Sequence, residues 1–341
     1  MAETMRAVVV PRYHGELQMM SRPVPRSAAG EVLLRVHASG LCSTDLHLLQ
    51  GRMLLGELPR IVGHESAGEI VALGEGVTDW KIGDRATVAI DVVCGVCRHC
   101  LTGQTQRCTA MVRIGFERDG GHAEFLSLPA ANLVAIPTEL DYEAAAILPD
   151  AVACMYHSLI FQGKVGIGQR VLILGVGGLG INGVQIAHVA GAQVMATSRK
   201  EERLKLAEEY GAVPVNPTRQ SLKDAVAAFT QHEGVDVVVD NIGNRASVLE
   251  GLGLLRPGGK FLVVAYLDEM LEFPSIPLFK TEQEIIGCRG STKQDLIDVV
   301  RLVQQGQLTP VIGAHYALEQ IGAAAELLTN GDLVGRIVLT R

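Results

Sequence analysis

Four cysteines of this chain lie within fifteen residues: Cys94, Cys97, Cys100 and Cys108. Their pattern, Cys-x2-Cys-x2-Cys-x7-Cys, includes Gly95 and Gly103, which permit the tight reversals that point four thiolates at one ion. Tetrahedral zinc fits four sulfur ligands best, and an iron–sulfur cluster is the competing interpretation. Four thiolates leave no open coordination position, so the lobe 94–108 is predicted to hold a structural zinc.

Two upstream segments carry further metal-binding side chains. The segment "GLCSTDLH" holds Cys42 and Asp45, and the segment "GHE" holds His64 and Glu65. A catalytic zinc needs about three protein ligands and one exchangeable position. Cys42 and His64 therefore predict a second zinc site, whose third ligand must come from elsewhere in the chain.

The chain changes character from residue 171, where apolar strands begin to alternate with amphipathic helices. Such alternation predicts a parallel sheet with helices on both faces. Between the first strand and its helix, a G-x-G-x-x-G motif is formed by Gly175, Gly177, Gly178, Leu179 and Gly180. Glycines there permit a sharp turn and let a pyrophosphate approach the N–H groups at the helix start, which predicts a dinucleotide site.

The end of the second strand is where an acidic residue would hold the adenosine ribose 2′-hydroxyl of NAD. The sequence there is "ATSRKEER", with Ser198 at the acidic position and Arg199 and Lys200 after it. A 2′-phosphate would meet a hydroxyl and a guanidinium instead of a repelling charge. We therefore expect NADP(H) to be favoured over NAD(H); the alternative is that the two basic residues are only solvated helix-start residues.

Bulk properties limit the class of protein. A length of 341 residues predicts two domains, and a net charge of −7 argues against nucleic acid or an anionic membrane as partner. The N-terminal residues lack the features of a signal peptide, so we expect a cytoplasmic protein. Its 7 cysteines are then expected to be metal ligands or buried thiols and not disulfides.

Taken together, these motifs resemble the zinc-containing alcohol dehydrogenases of the medium-chain dehydrogenase/reductase family, over essentially the full length. The segments that carry the resemblance are GLCSTDLH, GHESAGEIVALGEGV, KIGDRA, the four-cysteine lobe, GVGGLG and GRIVL. The resemblance implies an α/β protein with a GroES-like, β-rich catalytic domain at 1–149 and 286–341. It implies a Rossmann domain, with a doubly wound parallel sheet, at 150–285.

The resemblance also assigns the remaining residues around the second zinc. It places Asp150 at the third ligand position, with Cys154 as competitor because residues four apart share a helix face. Glu65 is either a transient ligand that exchanges with water or an anchor beside the ligands. Asp45 is expected to accept the ring N–H of His64, which turns the other nitrogen toward the metal.

Catalytic and binding roles follow from the same resemblance. Thr44 corresponds to a hydroxyl that relays the substrate proton, and His47 to its outer acceptor. Arg336 matches an arginine that reaches the pyrophosphate, and Ile90 a pocket position at which an aliphatic side chain leaves room for secondary or bulky alcohols. Four histidines receive no role and are predicted to be packing or surface residues: His37, His99, His122 and His157.

The resulting hypothesis is a zinc-dependent oxidoreductase that interconverts an alcohol and its carbonyl compound, with two zinc ions per chain. The strand in "EIIGCRGS" is expected to support a homodimer or homotetramer. One alternative is a zinc-free quinone or enoyl reductase of the same superfamily, which would have no need of Cys42, His64 and Asp150. Another is a non-enzymatic, nucleotide-binding structural or redox-sensing protein, since fold alone does not fix function.

Overall fold

The protein is described by a computed structural model that covers residues 3–53, 56–266, 270–273 and 275–341. The chain divides into two compact units. The first unit contains Met1–Asp150, Ser291–Gly306 and Pro310–Arg341, and the second contains Ala151–Gly290 and Gln307–Thr309.

The first unit is built mainly from antiparallel sheets. Its strands are Thr4–Val10, Gln18–Pro23, Glu31–Leu41, Arg60–Ile61, Glu65–Leu73, Arg85–Val88, Asp91–Val92, Val112–Arg113, Phe125–Pro129, Leu133–Ala135, Ile312–Ala317 and Arg336–Thr340. The strand Glu31–Leu41 is central, because it pairs with Glu65–Leu73, Phe125–Pro129 and Arg336–Thr340. Its buried pattern is almost continuous, as expected for a strand covered on both faces.

Short helices connect and cover these strands. They are Ser43–Leu49, Arg98–Leu101, Tyr142–Ile147, Lys293–Gln304 and Ile321–Asn330, with 3-10 turns at Thr105–Arg107, Ala130–Asn132 and Leu318–Gln320. One hydrophobic cluster joins Leu41, Leu48 and Val62, from the segments that carry Cys42 and His64, with Ile337, which follows Arg336. Those segments are therefore fixed by the core of the unit.

The second unit contains, within the described residues, a six-stranded sheet whose strands are all parallel. Its spatial order is Ala212–Val215, Gln193–Thr197, Arg170–Leu174, Val235–Asp240, Leu255–Val263 and Glu284–Gly287. Its helices are Ala153–Tyr156, Gly180–Val189, Glu201–Glu209, Leu222–Thr230, Arg245–Leu254 and Ser275–Thr281. Strand order 3-2-1-4-5-6 is that of the doubly wound dinucleotide-binding fold. The predicted fold class is confirmed.

A helical segment, Tyr142–Gln162, carries Asp150. Among the described residues it alone is long and apolar enough to cross a membrane, but 72% of its most apolar window is buried, as in the core helix of a globular protein. The helix widens into a π-turn at Leu148–Val152. Pro149 has no N–H for the carbonyl of Ala145, which accepts from the backbone N–H of Leu148 and from the Thr87 hydroxyl, the latter at 2.8 Å. The hydroxyl thus connects this turn, on which Asp150 lies, to the strand Arg85–Val88.

Candidate metal centre and nucleotide site

Strand pairing brings the first two predicted zinc ligands together. Gly40 pairs with Glu65 across adjacent strands. Cys42 therefore lies two residues after this pair on one strand, and His64 lies one residue before it on the other. A Cβ atom at Gly40 would overlap the carboxylate of Glu65, and only glycine leaves room for that side chain. Strand pairing thus brings the thiol of Cys42, the imidazole of His64 and the carboxylate of Glu65 within 4.8 Å of one another.

Asp150 completes this group. Its Oδ2 atom lies 3.4 Å from Cys42 Sγ and 3.7 Å from His64 Nε2, and His64 Nε2 lies 3.9 Å from an oxygen of Glu65. One ligand atom from each of these four side chains falls within 4.8 Å of the others. Cys154, the competing third ligand, is not a member of this group.

The second imidazole nitrogen of His64 faces Asp45, whose Oδ1 lies 3.5 Å from His64 Nδ1. The Oδ2 atom of Asp45 accepts from the backbone N–H of Cys42 at 2.9 Å, which also caps the helix Ser43–Leu49. Asp45 therefore spans both segments that supply zinc ligands. This is the arrangement expected of a carboxylate that orients a metal-binding histidine.

The guanidinium of Arg336 lies inside the same cluster. Its Nε donates to Glu65 Oε2 at 3.1 Å, and its Nη2 pairs with Glu65 and with Asp150. Arg336 is 4% exposed and Glu65 is fully buried, so the pair is held away from water. The contact between Arg336 and Glu65 was not predicted from the sequence, and the role of Arg336 toward a pyrophosphate stays a prediction.

Charge in this cluster is strongly shifted. Burial favours the neutral form of Asp150, but the hydrogen bond from His64 and the charge of Arg336 hold its pKa well below the usual range. Burial likewise opposes protonation of His64, yet the charge of Asp45 lifts the pKa of that imidazole well above its usual value. Burial raises the pKa of Glu65 to about 8, against the charge of Arg336. This group of anionic donors fits a bound cation. Binding of the cation would displace the proton from His64.

The four-cysteine lobe forms the second cluster, as its spacing predicted. The Sγ atoms of Cys97 and Cys100 lie 3.5 Å apart, and those of Cys94 and Cys100 lie 3.9 Å apart. Backbone N–H groups of Cys100 and Thr109 lower the pKa of Cys97 to about 5, whereas burial and its thiol neighbours raise that of Cys100 to about 12. These thiols cannot all ionise unless a cation neutralises them, so the donor set fits structural zinc.

Thr44 and His47 lie on the helix Ser43–Leu49, which starts directly after Cys42. Burial, and secondarily the charge of Arg52, lowers the pKa of His47. The imidazole is therefore neutral near pH 7 and able to accept a proton. The predicted relay through these two residues stays a prediction.

The glycine-rich turn has the shape that a dinucleotide needs. Gly175 adopts a φ of +88° between the strand Arg170–Leu174 and the helix Gly180–Val189. A Cβ on Gly180 would overlap the carbonyl oxygen of Gly175, whereas Gly177 faces open space. The amide of Asn241 lies beside this turn, and its buried oxygen and nitrogen have no hydrogen-bond partner within the described part of the chain. The turn thus offers open backbone and a spare amide to a polar ligand.

The predicted discriminating residues stand at the end of the second strand of this unit. Ser198 is 9% exposed, and its hydroxyl accepts from the backbone N–H of Lys200 at 3.1 Å. Arg199 is exposed. The carboxylate of Glu201 accepts a hydrogen bond from the side-chain amide of Asn216 at 2.6 Å. Its partner therefore lies outside the Ser198–Arg199 pair.

Comparisons with known proteins agree with this architecture. The family "Alcohol dehydrogenase GroES-like domain" matches residues 28–138, and the family "Zinc-binding dehydrogenase" matches residues 178–305. An alcohol dehydrogenase of Geobacillus stearothermophilus is 33% identical, over 98% of this chain and 99% of its own length. An acryloyl-coenzyme A reductase of Metallosphaera sedula is 29% identical, over 98% of this chain and all of its own length.

A solved structure adds a metal-bound neighbour. The cobalt- and zinc-bound thermostable alcohol dehydrogenase of Pyrobaculum aerophilum superimposes with a TM-score of 0.89. It is 30% identical, and the match covers 99% of this chain and 100% of that one.

Proposed function

The chain belongs to the zinc-containing alcohol dehydrogenases of the medium-chain dehydrogenase/reductase family, and we propose that it interconverts a secondary or bulky alcohol and its carbonyl compound with NADP(H). The observation that carries this proposal is the convergence of Cys42, His64 and Asp150, whose ligand atoms lie within 4.8 Å of one another. A zinc ion bound there would polarise the substrate oxygen, and a nicotinamide would exchange hydride with the carbon that bears it.

The chain's own residues then have defined tasks. Cys42, His64 and Asp150 hold the ion, and Asp45 keeps the Nδ1 proton of His64 away from it. The Thr44 hydroxyl takes the proton released by the alcohol and passes it to His47. A lowered pKa keeps His47 ready to accept it.

Glu65 has two proposed tasks, as transient ligand or as anchor. Its hydrogen bond from Arg336 at 3.1 Å supports the anchor role in the absence of metal. As a transient ligand, Glu65 would have to release Arg336, whose buried guanidinium would then keep only Asp150, itself a proposed zinc ligand, as its partner, at considerable cost. The pairing thus favours the anchor.

The preference for NADP(H) rests on Ser198 and Arg199, where no carboxylate opposes a 2′-phosphate.

Self-association as a homodimer or homotetramer is supported by the strand Glu284–Gly287, which forms one edge of the parallel sheet. An edge strand leaves backbone donors and acceptors for a second copy. Sedimentation equilibrium measures that assembly directly.

An enoyl reductase is the second candidate, because similarity to the acryloyl-coenzyme A reductase extends over nearly the whole chain. Reduction of an activated double bond needs a hydride donor but no metal-held oxygen. This chain has a complete set of sulfur, nitrogen and oxygen ligands for zinc, which favours the alcohol dehydrogenase.

The test is a panel of alcohols, ketones and enoyl thioesters, assayed with both cofactors before and after chelator dialysis. Asp150→Asn should lose alcohol oxidation and one zinc per chain, whereas the matched variant Cys154→Ser should keep both. Activity on enoyl thioesters that survives chelation would defeat the proposal. A Cys154→Ser variant that loses zinc would move the third ligand to the competitor.

A further inference from the structure

His122 is a buried histidine to which no role was assigned from the sequence. Its side chain is fully buried in the first unit, and its backbone pairs with Val8 and Val62. The Nδ1 atom lies 2.8 Å from the hydroxyl of Ser39, and the Nε2 atom lies 3.5 Å from Oδ2 of Asp45. A buried imidazole needs a polar partner at each nitrogen, and here one of the two partners is the carboxylate that also faces His64.

These contacts extend from His122 through Asp45 to His64, which is a predicted zinc ligand. Asp45 lies between two imidazoles, with Oδ2 facing His122 and Oδ1 facing His64, each at 3.5 Å. His122 Nε2 and His64 Nδ1 have no hydrogen-bond partner of standard geometry among the described residues. The carboxylate oxygens of Asp45 are thus the polar atoms that both nitrogens face.

The proton positions follow from the chemistry of the partners. An ionised carboxylate only accepts, so the ring nitrogens that face Asp45 are most stable as N–H donors. A neutral His122 then has an acceptor at Nδ1, to which Ser39 donates. A neutral His64 has its lone pair on Nε2, the nitrogen nearest Asp150.

The backbone also couples His122 to the zinc-binding segment. Gly63 directly precedes His64 and adopts a φ of +97°. A Cβ atom at residue 63 would come within 2.5 Å of the His122 ring, so only glycine lets the ring pack on this backbone. The ring of His122 therefore fixes both the carboxylate and the peptide that orient His64.

We propose that His122 is a positioning residue for the zinc site, which holds Asp45 by an Nε2–H donor while Ser39 fixes its tautomer. This inference rests on the proposed function, because it assumes that His64 binds zinc. Outer partners of metal-binding histidines typically change metal affinity by about 10-fold to 100-fold when removed. His122 lies one step farther out, so we expect a loss near the lower end of that range.

The experiment compares three substitutions that differ in which nitrogen they replace. His122→Gln keeps an amide donor at the distance of Nε2, His122→Asn keeps a polar group only at the distance of Nδ1, and His122→Phe removes both. Zinc affinity is measured by competition with a chromophoric chelator, and the visible spectrum is recorded after cobalt(II) substitution. The four-cysteine site serves as internal reference in each protein, and His157→Gln is the control for loss of a buried histidine elsewhere.

We expect His122→Asn and His122→Phe to weaken zinc binding at the Cys42 site by about 10-fold and to shift its cobalt spectrum. His122→Gln should restore most of the affinity, while the four-cysteine site keeps its zinc in every variant. Equal zinc affinity in all three variants, or equal losses in the Gln and Asn variants, would overturn the proposal.

Ser39→Ala provides a second test if the His122 variants do not fold. Loss of its hydroxyl leaves Nδ1 of His122 without its donor and removes the contact that holds the ring against Asp45, so zinc affinity should fall. Unchanged affinity would overturn the proposal. Failure of the proposed function looks different, because the wild-type protein would then bind no zinc that Asp150→Asn removes.

Discussion

The Sγ atom of Cys42 lies 3.4 Å from Oδ2 of Asp150, although 108 positions separate the two residues in the chain. A thiolate and a carboxylate at this distance repel each other unless a proton or a cation lies between them. His64 completes the group, and the three side chains differ in softness. A carboxylate in place of a second thiolate leaves a bound zinc harder and more electrophilic.

We expect Ser198 to determine the preference between NADP(H) and NAD(H). Ser198→Asp introduces a carboxylate where a 2′-phosphate would lie, so kcat/KM with NADP(H) should fall by more than about 10-fold relative to NAD(H). Steady-state kinetics with both cofactors at equal concentration measure the ratio. Lys205→Ala, on the following helix Glu201–Glu209, is the matched control and should leave it unchanged. Equal or better turnover of the wild-type protein with NAD(H) would contradict the assignment.

The proposed proton relay depends on the hydroxyl of Thr44. Thr44→Ala should reduce kcat for alcohol oxidation by about 100-fold, because the substrate proton loses its first acceptor. Thr44→Ser keeps a hydroxyl and should retain most of the activity. Near-full turnover in the alanine variant, measured at saturating substrate, would remove Thr44 from the mechanism.

His47 predicts a pH dependence of known sign. In the proposed relay, oxidation needs the neutral form of His47, which is lost as pH falls through its pKa, and burial places that pKa below the usual histidine value. The rate should therefore decline only at acidic pH, and His47→Gln should abolish that limb of the pH–rate profile. The loss of kcat near pH 7 should stay under about 10-fold, since water can replace the acceptor. An unchanged acid limb in the variant would assign it to another group.

The four-cysteine lobe should be structural. Cys100→Ser should remove one zinc per chain and speed proteolysis within residues 94–108, because metal binding supplies folding free energy to such a loop. Cys288→Ser is the matched control, since burial raises the pKa of that thiol to about 11 and keeps it inert. Zinc analysis and limited proteolysis measure both effects. Full zinc content in Cys100→Ser would refute the ligand assignment.

Sequence patterns predicted the fold and the local clusters well. The lobe could be predicted because its four ligands lie within fifteen residues, so spacing alone determines their geometry. The glycine-rich turn could be predicted because Gly175 and Gly180 act within one strand–turn–helix unit. Both features depend on short-range geometry.

Other parts of the site depend on contacts between distant segments and could not be predicted from local patterns. Asp150 required a resemblance, since no local pattern links it to Cys42. Arg336 meets Glu65 because the strands Glu65–Leu73 and Arg336–Thr340 both pair with the strand Glu31–Leu41, with Gly40 opposite Glu65 and Ile337 opposite Leu41. His122 has no local signal, because its partners lie on other strands.

The central claim is tested most directly by anomalous diffraction at the zinc edge, from crystals of the protein prepared with zinc. We predict two peaks per chain, one in the four-cysteine lobe and one bonded to Cys42, His64 and Asp150 at about 2.0 to 2.3 Å. A peak in the lobe alone, with Cys42, His64 and Asp150 bound to no metal, would contradict the account.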